Sequence, residues 1–184
     1  MTSLTDPISR TETLLLERLQ TLGISVQVHR HPALHTVEES KALRDRMPGV
    51  HVKNLVLRDK KGRIWLITAH EDTALDLKAL RHSLGASGTL SFCNAELLAS
   101  TLGVTPGSAT PLAVINDVAG RVSAVFDRRV LAGELINVHP LHNEATLSLA
   151  PADLLEFMTA CDHAPLIMDF ARATGLEEKP HSGD

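Results

Sequence analysis

The chain has 184 residues, a formal net charge of −4, and 43% hydrophobic and 22% charged residues. This composition predicts one soluble globular domain with a sizeable core. No apolar run approaches a membrane span, and the first residues lack the pattern of a signal peptide. Two distant cysteines, Cys93 and Cys161, form neither a disulfide framework nor a metal spacing, which predicts a protein of the reducing cytoplasm. The acidic balance excludes indiscriminate binding of nucleic acid, so any such contact must be local.

Helix and strand patterns alternate in the first quarter of the chain. Leucines on one face predict a helix over 9–22, and alternation predicts a strand over 24–29. Thr36 resembles an N-cap whose bond Glu39 returns, so a helix begins there and ends before Met47.

Three histidines in this region, His29, His31 and His35, raise the alternative of a metal site. Pro32 interrupts them, and no carboxylate or thiol completes a ligand set of fixed geometry. The pattern therefore predicts no metal ion and no cofactor.

Residues 51–66 predict two strands joined by a tight polar turn, in which Gly62 supplies positive φ. The surrounding segment 41–63 carries eight basic residues against only Asp45 and Asp59, a local excess of +6. One interpretation is a solvated hairpin whose lysines protect a strand edge. The other is a surface that faces phosphates. The basic residues are Lys41, Arg44, Arg46, Lys53, Arg58, Lys60, Lys61 and Arg63.

The second half of the chain reads as short elements separated by turn residues. Cys93 lies before a helix start, where a nucleophilic thiol is one interpretation and a structural thiol the favoured one. The residues after 170 resemble a frayed tail. The predicted elements are helices over 76–84, 95–102 and 151–160, strands over 89–92, 112–115, 122–126, 134–138, 145–149 and 166–169, a hairpin turn over 116–120, and a helical turn capped by Asp127.

Two loops stand out by their composition. Residues 103–111 are rich in glycine and proline, which is typical either of a plain connector or of a rigid loop whose backbone approaches a ligand. The loop after the strand 134–138 carries His139, His142 and Asn143.

Four stretches, 31–40, 53–62, 103–111 and 139–146, together resemble the YbaK-type aminoacyl-tRNA deacylases, relatives of the editing domain of bacterial prolyl-tRNA synthetase. The ProXp-ala (PrdX-like) branch is the nearest match, and the resemblance runs from about residue 13 to residue 170. It implies an α+β fold in which helices surround a curved, barrel-like mixed β-sheet. A single editing domain over 1–170 and a flexible tail over 171–184 are the expected organisation.

The resemblance also implies an activity and a site. The expected reaction is hydrolysis of the ester in alanine-charged tRNA(Pro), in which a ribose hydroxyl of the substrate assists water attack. The family pattern favours His139 over His142, and it places Lys53, Gly107 and His139 in catalysis. Substrate binding is expected at Asn54, Ser108, Ala109, Thr110, Pro111 and Asn143. Contacts with tRNA are expected at Arg58, Lys60, Lys61 and Arg63.

Pocket physics explains the need for such an enzyme, because a synthetase pocket sized for proline rejects alanine by only about 1–3 kcal/mol. Two alternatives stay open. One is a deacylase of Cys-tRNA(Pro), and the other is a non-catalytic sensor of tRNA or proline-related ligands. Prolyl-tRNA synthetase is a further candidate partner, and no membrane partner is expected.

Overall fold

The structure is a computed structural model that describes residues 7–33 and 37–173. Helices and strands alternate along the chain, as the sequence predicts. The helices are α1 (Pro7–Thr21), α2 (Val37–Arg44), α3 (Leu77–Ser83), α4 (Ala95–Leu102), α5 (Pro151–Ala160) and α6 (Phe170–Ala173), with 3-10 helices at Pro111–Asn116 and Arg128–Leu131. The strands are β1 (Gln27–Arg30), β2 (Val50–Arg58), β3 (Ile64–His70), β4 (Ser91–Phe92), β5 (Val122–Asp127), β6 (Ile136–Val138), β7 (Ala145–Leu149) and β8 (Leu166–Met168).

The eight strands form one mixed sheet in the order β1-β7-β6-β2-β3-β5-β8, and β4 pairs with β2 outside this path. Hairpin neighbours β2 and β3 are antiparallel, whereas β2–β6, β3–β5 and β5–β8 are parallel. The fold is therefore the expected α+β arrangement of a mixed sheet with helices packed around it. The strands β1 and β8 are the two ends of the path.

The central strand β2 separates two hydrophobic cores. Because side chains alternate along a strand, Val52 and Val56 pack against the larger core, while Leu55 and Leu57 pack against the smaller one. The larger core includes α1, α4 and α5, and the smaller one includes Leu80 of α3 and Phe170 of α6. Neighbouring positions on β2 thus serve different faces of the sheet.

One edge of β2 is covered only at its ends. Strand β6 pairs with Val50 and His51, and β4 pairs with Leu57 and Arg58, while β3 occupies the opposite edge. Within the described ranges, no strand pairs with 52–56 on the β6 side. At Val56 this edge still accepts a hydrogen bond from Cys93 N–H, so the stretch without strand pairing is short.

Side-chain caps account for most of the correct helix predictions. Asp76 accepts hydrogen bonds from the N–H groups of Lys78 and Ala79 at the start of α3, and Asn94 accepts one from Leu97 at the start of α4. Asp127 likewise caps the helical turn Arg128–Leu131. The predicted strand start at 51 was one residue late, since β2 begins at Val50.

The predicted strand over 112–115 is wrong, because these residues form the 3-10 helix Pro111–Asn116. Thr110 caps it by accepting a hydrogen bond from Leu112 N, and Pro111 takes the first helical position. The predicted hairpin turn over 116–120 is also wrong. The strand β5 that follows it pairs with β3 and β8 in parallel, so it has no antiparallel hairpin partner before it in the described chain.

Some expectations concern residues outside the described ranges: His35, the Thr36 cap and the chain beyond 173. The tail was expected from 171, but Phe170–Ala173 still forms the helical turn α6. None of the helices in the described part of the chain is long and apolar enough to cross a membrane.

The turn between β2 and β3 is organised by Asp59, whose side chain is fully buried. Its Oδ1 accepts from the N–H groups of Lys61 and Arg63, and its Oδ2 accepts from Ser87 N–H and Arg63 Nε–H, at 2.9–3.0 Å. Burial alone would raise the pKa of Asp59, but these donors, led by Ser87 N–H, lower it to about 2.

Asp59→Asn is expected to lower the free energy of unfolding at neutral pH. In this variant the free energy of unfolding should also decrease less when the pH falls. The folded pKa lies below the ordinary value of about 3.9, so this stabilisation is complete above pH 4 and is lost as pH falls toward 2. Urea unfolding followed by the fluorescence of Trp65, the single tryptophan, at pH 7 and pH 3 measures the difference. If the free energy of unfolding fell equally between pH 7 and pH 3 in Asp59→Asn and in the unchanged protein, this stabilising role of Asp59 would be contradicted.

Candidate active site

A pocket of about 160 Å³ lies where β2, β6 and β7 meet α2. Its wall is mixed, because apolar side chains from α2 and β6 face amides, a hydroxyl and an imidazole. The ion pair of Arg44 with Glu71 ties α2 to the end of β3 beside it. Lining residues that matter below are Met47, Asn54, Asn137, Val138, His139 and Thr146.

His139 follows β6 directly and borders this pocket. Its Nδ1–H donates to the carbonyl oxygen of Ala145 at 3.0 Å, which fixes the ring and leaves Nε2 as the acceptor nitrogen. Burial lowers the pKa of His139, the Ala145 carbonyl opposes this effect, and the nearby His31 and His142 lower it further. The ring is therefore neutral at pH 7 and can accept a proton from a hydroxyl or a water molecule.

His31 supports the same wall from β1. Its Nδ1–H donates to Pro32 O at 2.9 Å, so Nε2 accepts the hydroxyl of Thr146 at 3.0 Å. Thr146 lines the pocket beside His139. His142 points elsewhere, because its Nε2 bonds to the buried carboxylate of Glu12 at 3.2 Å. This arrangement agrees with the preference for His139 over His142.

Asn54 and Lys53 are neighbours on β2 and lie on opposite faces. Asn54 lines the pocket, and its Oδ1 accepts the hydroxyl of Thr68, its cross-strand partner, at 2.8 Å. Lys53 is absent from the pocket wall and shares the face of Leu55. The pocket itself is therefore bordered by Asn54 and not by Lys53.

A hydrogen-bond network holds Lys53 in place. Its Nζ donates to the carbonyl oxygen of Thr73. The Thr73 hydroxyl donates to Asp127 Oδ2 at 2.9 Å and accepts from Arg129 at 3.2 Å. Asp127 also accepts from Arg129 N–H, so the end of β5 fixes the loop after β3. The amine of Lys53 is thereby held against the loop after β3.

The loop 103–111 lies against a second cavity rather than against the His139 pocket. Ser108 is buried, its N–H donates to Thr105 O, and it lines a cavity of about 230 Å³ together with Asn143 and His142. Asn143 and Ser108 are thus brought together at one cavity, away from Asn54 and His139.

The other residues predicted in this loop differ in exposure. Gly107 is exposed, has a φ of 86° and has open space where a side chain would point. Ala109 packs against the larger core, and Thr110 and Pro111 are buried at the start of the 3-10 helix. Gly107 is the loop residue whose backbone a ligand can approach most closely.

The basic hairpin presents three free side chains and one engaged one. Arg58, Lys60 and Lys61 are exposed. Arg63 donates to Asp59 and to Gly85 O, and its guanidinium lies 5.1 Å from the centre of the Trp65 ring. Arg58 lies four residues beyond Asn54, about 13 Å along the strand. The hairpin thus neighbours the pocket without entering it.

No group of three potential metal ligands occurs within residues 7–33 and 37–173. Cys93 is buried, and burial raises the pKa of its thiol, while Arg58 opposes the effect. A raised pKa disfavours the reactive thiolate, which supports a structural thiol.

Sequence reasoning missed the roles of His31, Met47 and Asn137. Asn137 Nδ2 donates to Pro48 O at 3.1 Å and shapes the pocket floor from β6. The sequence carried a signal for two of these residues. His31 begins the first matching stretch, and Asn137 interrupts an apolar strand pattern with a buried amide.

Comparison with known proteins identifies the family of the chain. The model of the "Aminoacyl-tRNA editing domain" family matches residues 31–157. A Danio rerio protein named "Prolyl-tRNA synthetase associated domain-containing protein 1" is 39% identical over 158 residues, which cover 85% of each chain. "Prolyl-tRNA editing protein ProX" of Acetoanaerobium sticklandii is 34% identical over 147 residues, 79% of this chain and 89% of its own.

A solved structure shares the fold at 20% identity and a TM-score of 0.68, covering 89% of this chain and 96% of its own. It is described as "a putative trans-editing enzyme for prolyl tRNA synthetase". The family match over 31–157 covers all four stretches on which the sequence resemblance rests. The chain belongs to the aminoacyl-tRNA editing domain family.

Proposed function

We propose that this protein hydrolyses the ester that joins alanine to the 3′ end of tRNA(Pro). The observation that carries the proposal is the neutral, tethered imidazole of His139 beside Asn54 in a small pocket. Family membership supplies the aminoacyl-tRNA substrate class. The relative named as a prolyl-tRNA editing protein supports tRNA(Pro) in particular.

The proposed mechanism relies on positioning. His139 Nε2 accepts a proton from the free ribose hydroxyl or from the attacking water, and Nδ1–H stays on Ala145 O. Water attacks the ester carbonyl, the C–O bond to the ribose breaks, and the ribose oxygen regains a proton. Asn54 contacts the substrate from β2, and Lys53 holds the ribose or a phosphate at the open strand edge. The loop of Gly107 lies against the second cavity, so this mechanism assigns it no contact with the developing oxyanion.

Pocket size supports a small amino acid. A volume of about 160 Å³ is below the roughly 300–1,000 Å³ of pockets for drug-sized ligands. Met47 and Val138 supply apolar contact for a methyl group, and we propose that their packing leaves a larger ring no room. Steric exclusion of this kind discriminates more strongly than lost contact does.

A charged-tRNA panel tests the proposal. Purified protein is incubated with tRNA(Pro) carrying alanine, cysteine, serine or proline, and the remaining ester is followed over time. We expect turnover of the alanyl ester at least tenfold faster than of the prolyl ester. Faster cysteinyl turnover would transfer the assignment to Cys-tRNA(Pro). Binding without turnover of any ester would establish the sensor alternative.

The basic hairpin is proposed to contact tRNA phosphates, which gives a salt prediction. Each phosphate contact changes the slope of log K against log salt by about 0.9. Replacing Lys60 and Lys61 together by glutamine should therefore flatten the slope by about 1 to 2. Arg63 is left unchanged, because it supports the Asp59 turn.

The matched control neutralises Arg121 and Arg128, two exposed arginines outside the hairpin. Affinity for uncharged tRNA(Pro) is measured by fluorescence anisotropy from 50 to 300 mM KCl. If the hairpin variant and the control show the same slope, Lys60 and Lys61 do not contact tRNA phosphates and are simply exposed to solvent.

A further inference from the structure

Phe92 is an unusually exposed aromatic residue, with 63% of its surface accessible. It lies on β4 and pairs with Leu57 of β2, so both side chains point to the same face of the sheet. Leu57 is buried in the smaller core together with Leu80 of α3. Phe92 therefore stands on the face that α3 covers, yet most of its ring meets solvent.

A shallow groove of about 490 Å³ lies on this face between α3 and the segment before β4. Its apolar floor is formed by Leu77 and Leu90, and Leu90 lies two residues before Phe92, on the same side of the extended chain. Its rim is cationic. The two cations of the rim are Lys78 and Arg81, and Arg81 Nε–H donates to His82 Nε2 beside them.

The acidic Asp76 and Glu96 offset Lys78 and Arg81, and the net positive charge of this surface comes from Arg58 and Lys60. Asp76 caps α3 and accepts from the N–H groups of Lys78 and Ala79. Glu96 is exposed on the neighbouring α4. On the other side, Arg58 and Lys60 of the hairpin extend the basic surface, since Arg58 pairs with Ser91 beside Phe92.

An exposed aromatic ring with cations around it suits a single-stranded nucleic acid, because bases stack on the ring while cations meet the backbone. We propose that Phe92 stacks on an unpaired nucleotide near the 3′ end of the bound tRNA, and that Lys78 and Arg81 contact its phosphates. This inference rests on the proposed tRNA substrate and adds a separate binding site to it.

The spacing on the sheet fits this assignment. Lys53 and Leu57 are four residues apart, about 13 Å, and Phe92 is one strand further, about 5 Å across. The direct separation is therefore about 14 Å. At a stacked rise of about 3.4 Å per nucleotide, this distance corresponds to roughly four nucleotides. A single-stranded tRNA end that reaches Lys53 with its terminal ribose can place a base on Phe92.

The experiment measures binding of uncharged tRNA(Pro), so it does not depend on hydrolysis. Phe92→Ala is compared with Phe92→Trp, which keeps a stacking surface, and with Val118→Ala, which trims another exposed apolar residue (95% accessible). We expect the alanine variant to bind about 5- to 150-fold more weakly. The tryptophan variant and the control should bind as the unchanged protein does.

A second RNA locates the contact. Trimming the unpaired 3′ nucleotides should weaken RNA binding by the unchanged protein. It should cause little further loss of affinity in Phe92→Ala. Equal affinities of Phe92→Ala and Val118→Ala would overturn the proposal. The proposal would also be overturned if trimming weakened RNA binding by Phe92→Ala as much as binding by the unchanged protein. The ring would then not contact the unpaired 3′ nucleotides. If Phe92→Ala leaves RNA affinity intact and abolishes binding to purified prolyl-tRNA synthetase, the groove is a protein interface and the proposal is wrong.

Discussion

His139→Ala is expected to slow the hydrolysis of Ala-tRNA(Pro) by about 10²- to 10⁴-fold, the usual contribution of a positioned acid–base group. The fold should survive, because the ring borders a pocket and its one backbone tether is to the adjacent β7. Single-turnover rates with saturating enzyme separate this chemical step from tRNA binding. Affinity for uncharged tRNA(Pro) should be unchanged.

The matched variant His139→Asn separates structure from chemistry. Asparagine can still donate to Ala145 O, but it offers nothing at the position of Nε2. It should therefore be about as slow as the alanine variant while unfolding at the temperature of the unchanged protein. Full activity of His139→Asn would reduce His139 to a structural tether.

The pH profile provides an independent check on this role. A neutral imidazole is needed, and burial lowers the pKa of His139 below the ordinary value of about 6.5. The rate should therefore be flat at neutral pH and fall only as pH drops through that lowered pKa. After subtraction of uncatalysed hydrolysis, His139→Ala should lack this inflection. An inflection above 6.5 would contradict the neutral ring.

Lys53→Met should lower kcat/KM for Ala-tRNA(Pro) by roughly 10- to 150-fold, the loss expected for one hydrogen bond to a charged group. Methionine keeps most of the side-chain length, so packing beside Leu55 is retained. The Nζ donor that bonds to Thr73 O is removed. Single-turnover kinetics over a range of enzyme concentrations measure both the maximal rate and the half-saturation point.

Two controls accompany the lysine variant. Arg121→Ala removes an exposed positive charge distant from the pocket and should leave the rate unchanged. Thr73→Val removes the hydroxyl bonded to Asp127 but keeps the carbonyl to which Lys53 donates, so a smaller loss is expected. If Lys53→Met retains the full rate and affinity, Lys53 belongs to the structural network alone.

Local signals made much of the fold predictable, and pairing between distant segments did not follow from them. Asp76, Asn94 and Asp127 mark helix starts because each side chain satisfies free backbone N–H groups. The run Leu112–Ile115 misled, since a short apolar segment is equally compatible with a strand and a buried helix. Thr110 and Pro111 were the local signs of the helix.

The candidate site was predictable as a set of residues but not as a geometry. His139 and Asn54 do share a pocket, whereas strand alternation turns Lys53 away from it. The loop with Ser108 and the residue Asn143 share a separate cavity. The order of residues in the sequence cannot show which of them share a pocket. That depends on how the strands pair and on which strand edge is left uncovered.

The pairing of β1 with β7 has a consequence for synthesis of the chain. Gln27 pairs with Ser148, a separation of 121 residues, and the same register brings His29 opposite Thr146. At roughly 5–20 residues per second, a ribosome takes about 6–24 s to make the partner after β1 itself. During that interval the leucine face of α1 lacks part of its core. Nascent chains should therefore acquire the His31–Thr146 wall only after β7 has emerged. A chaperone that shields α1 would be most effective before that point.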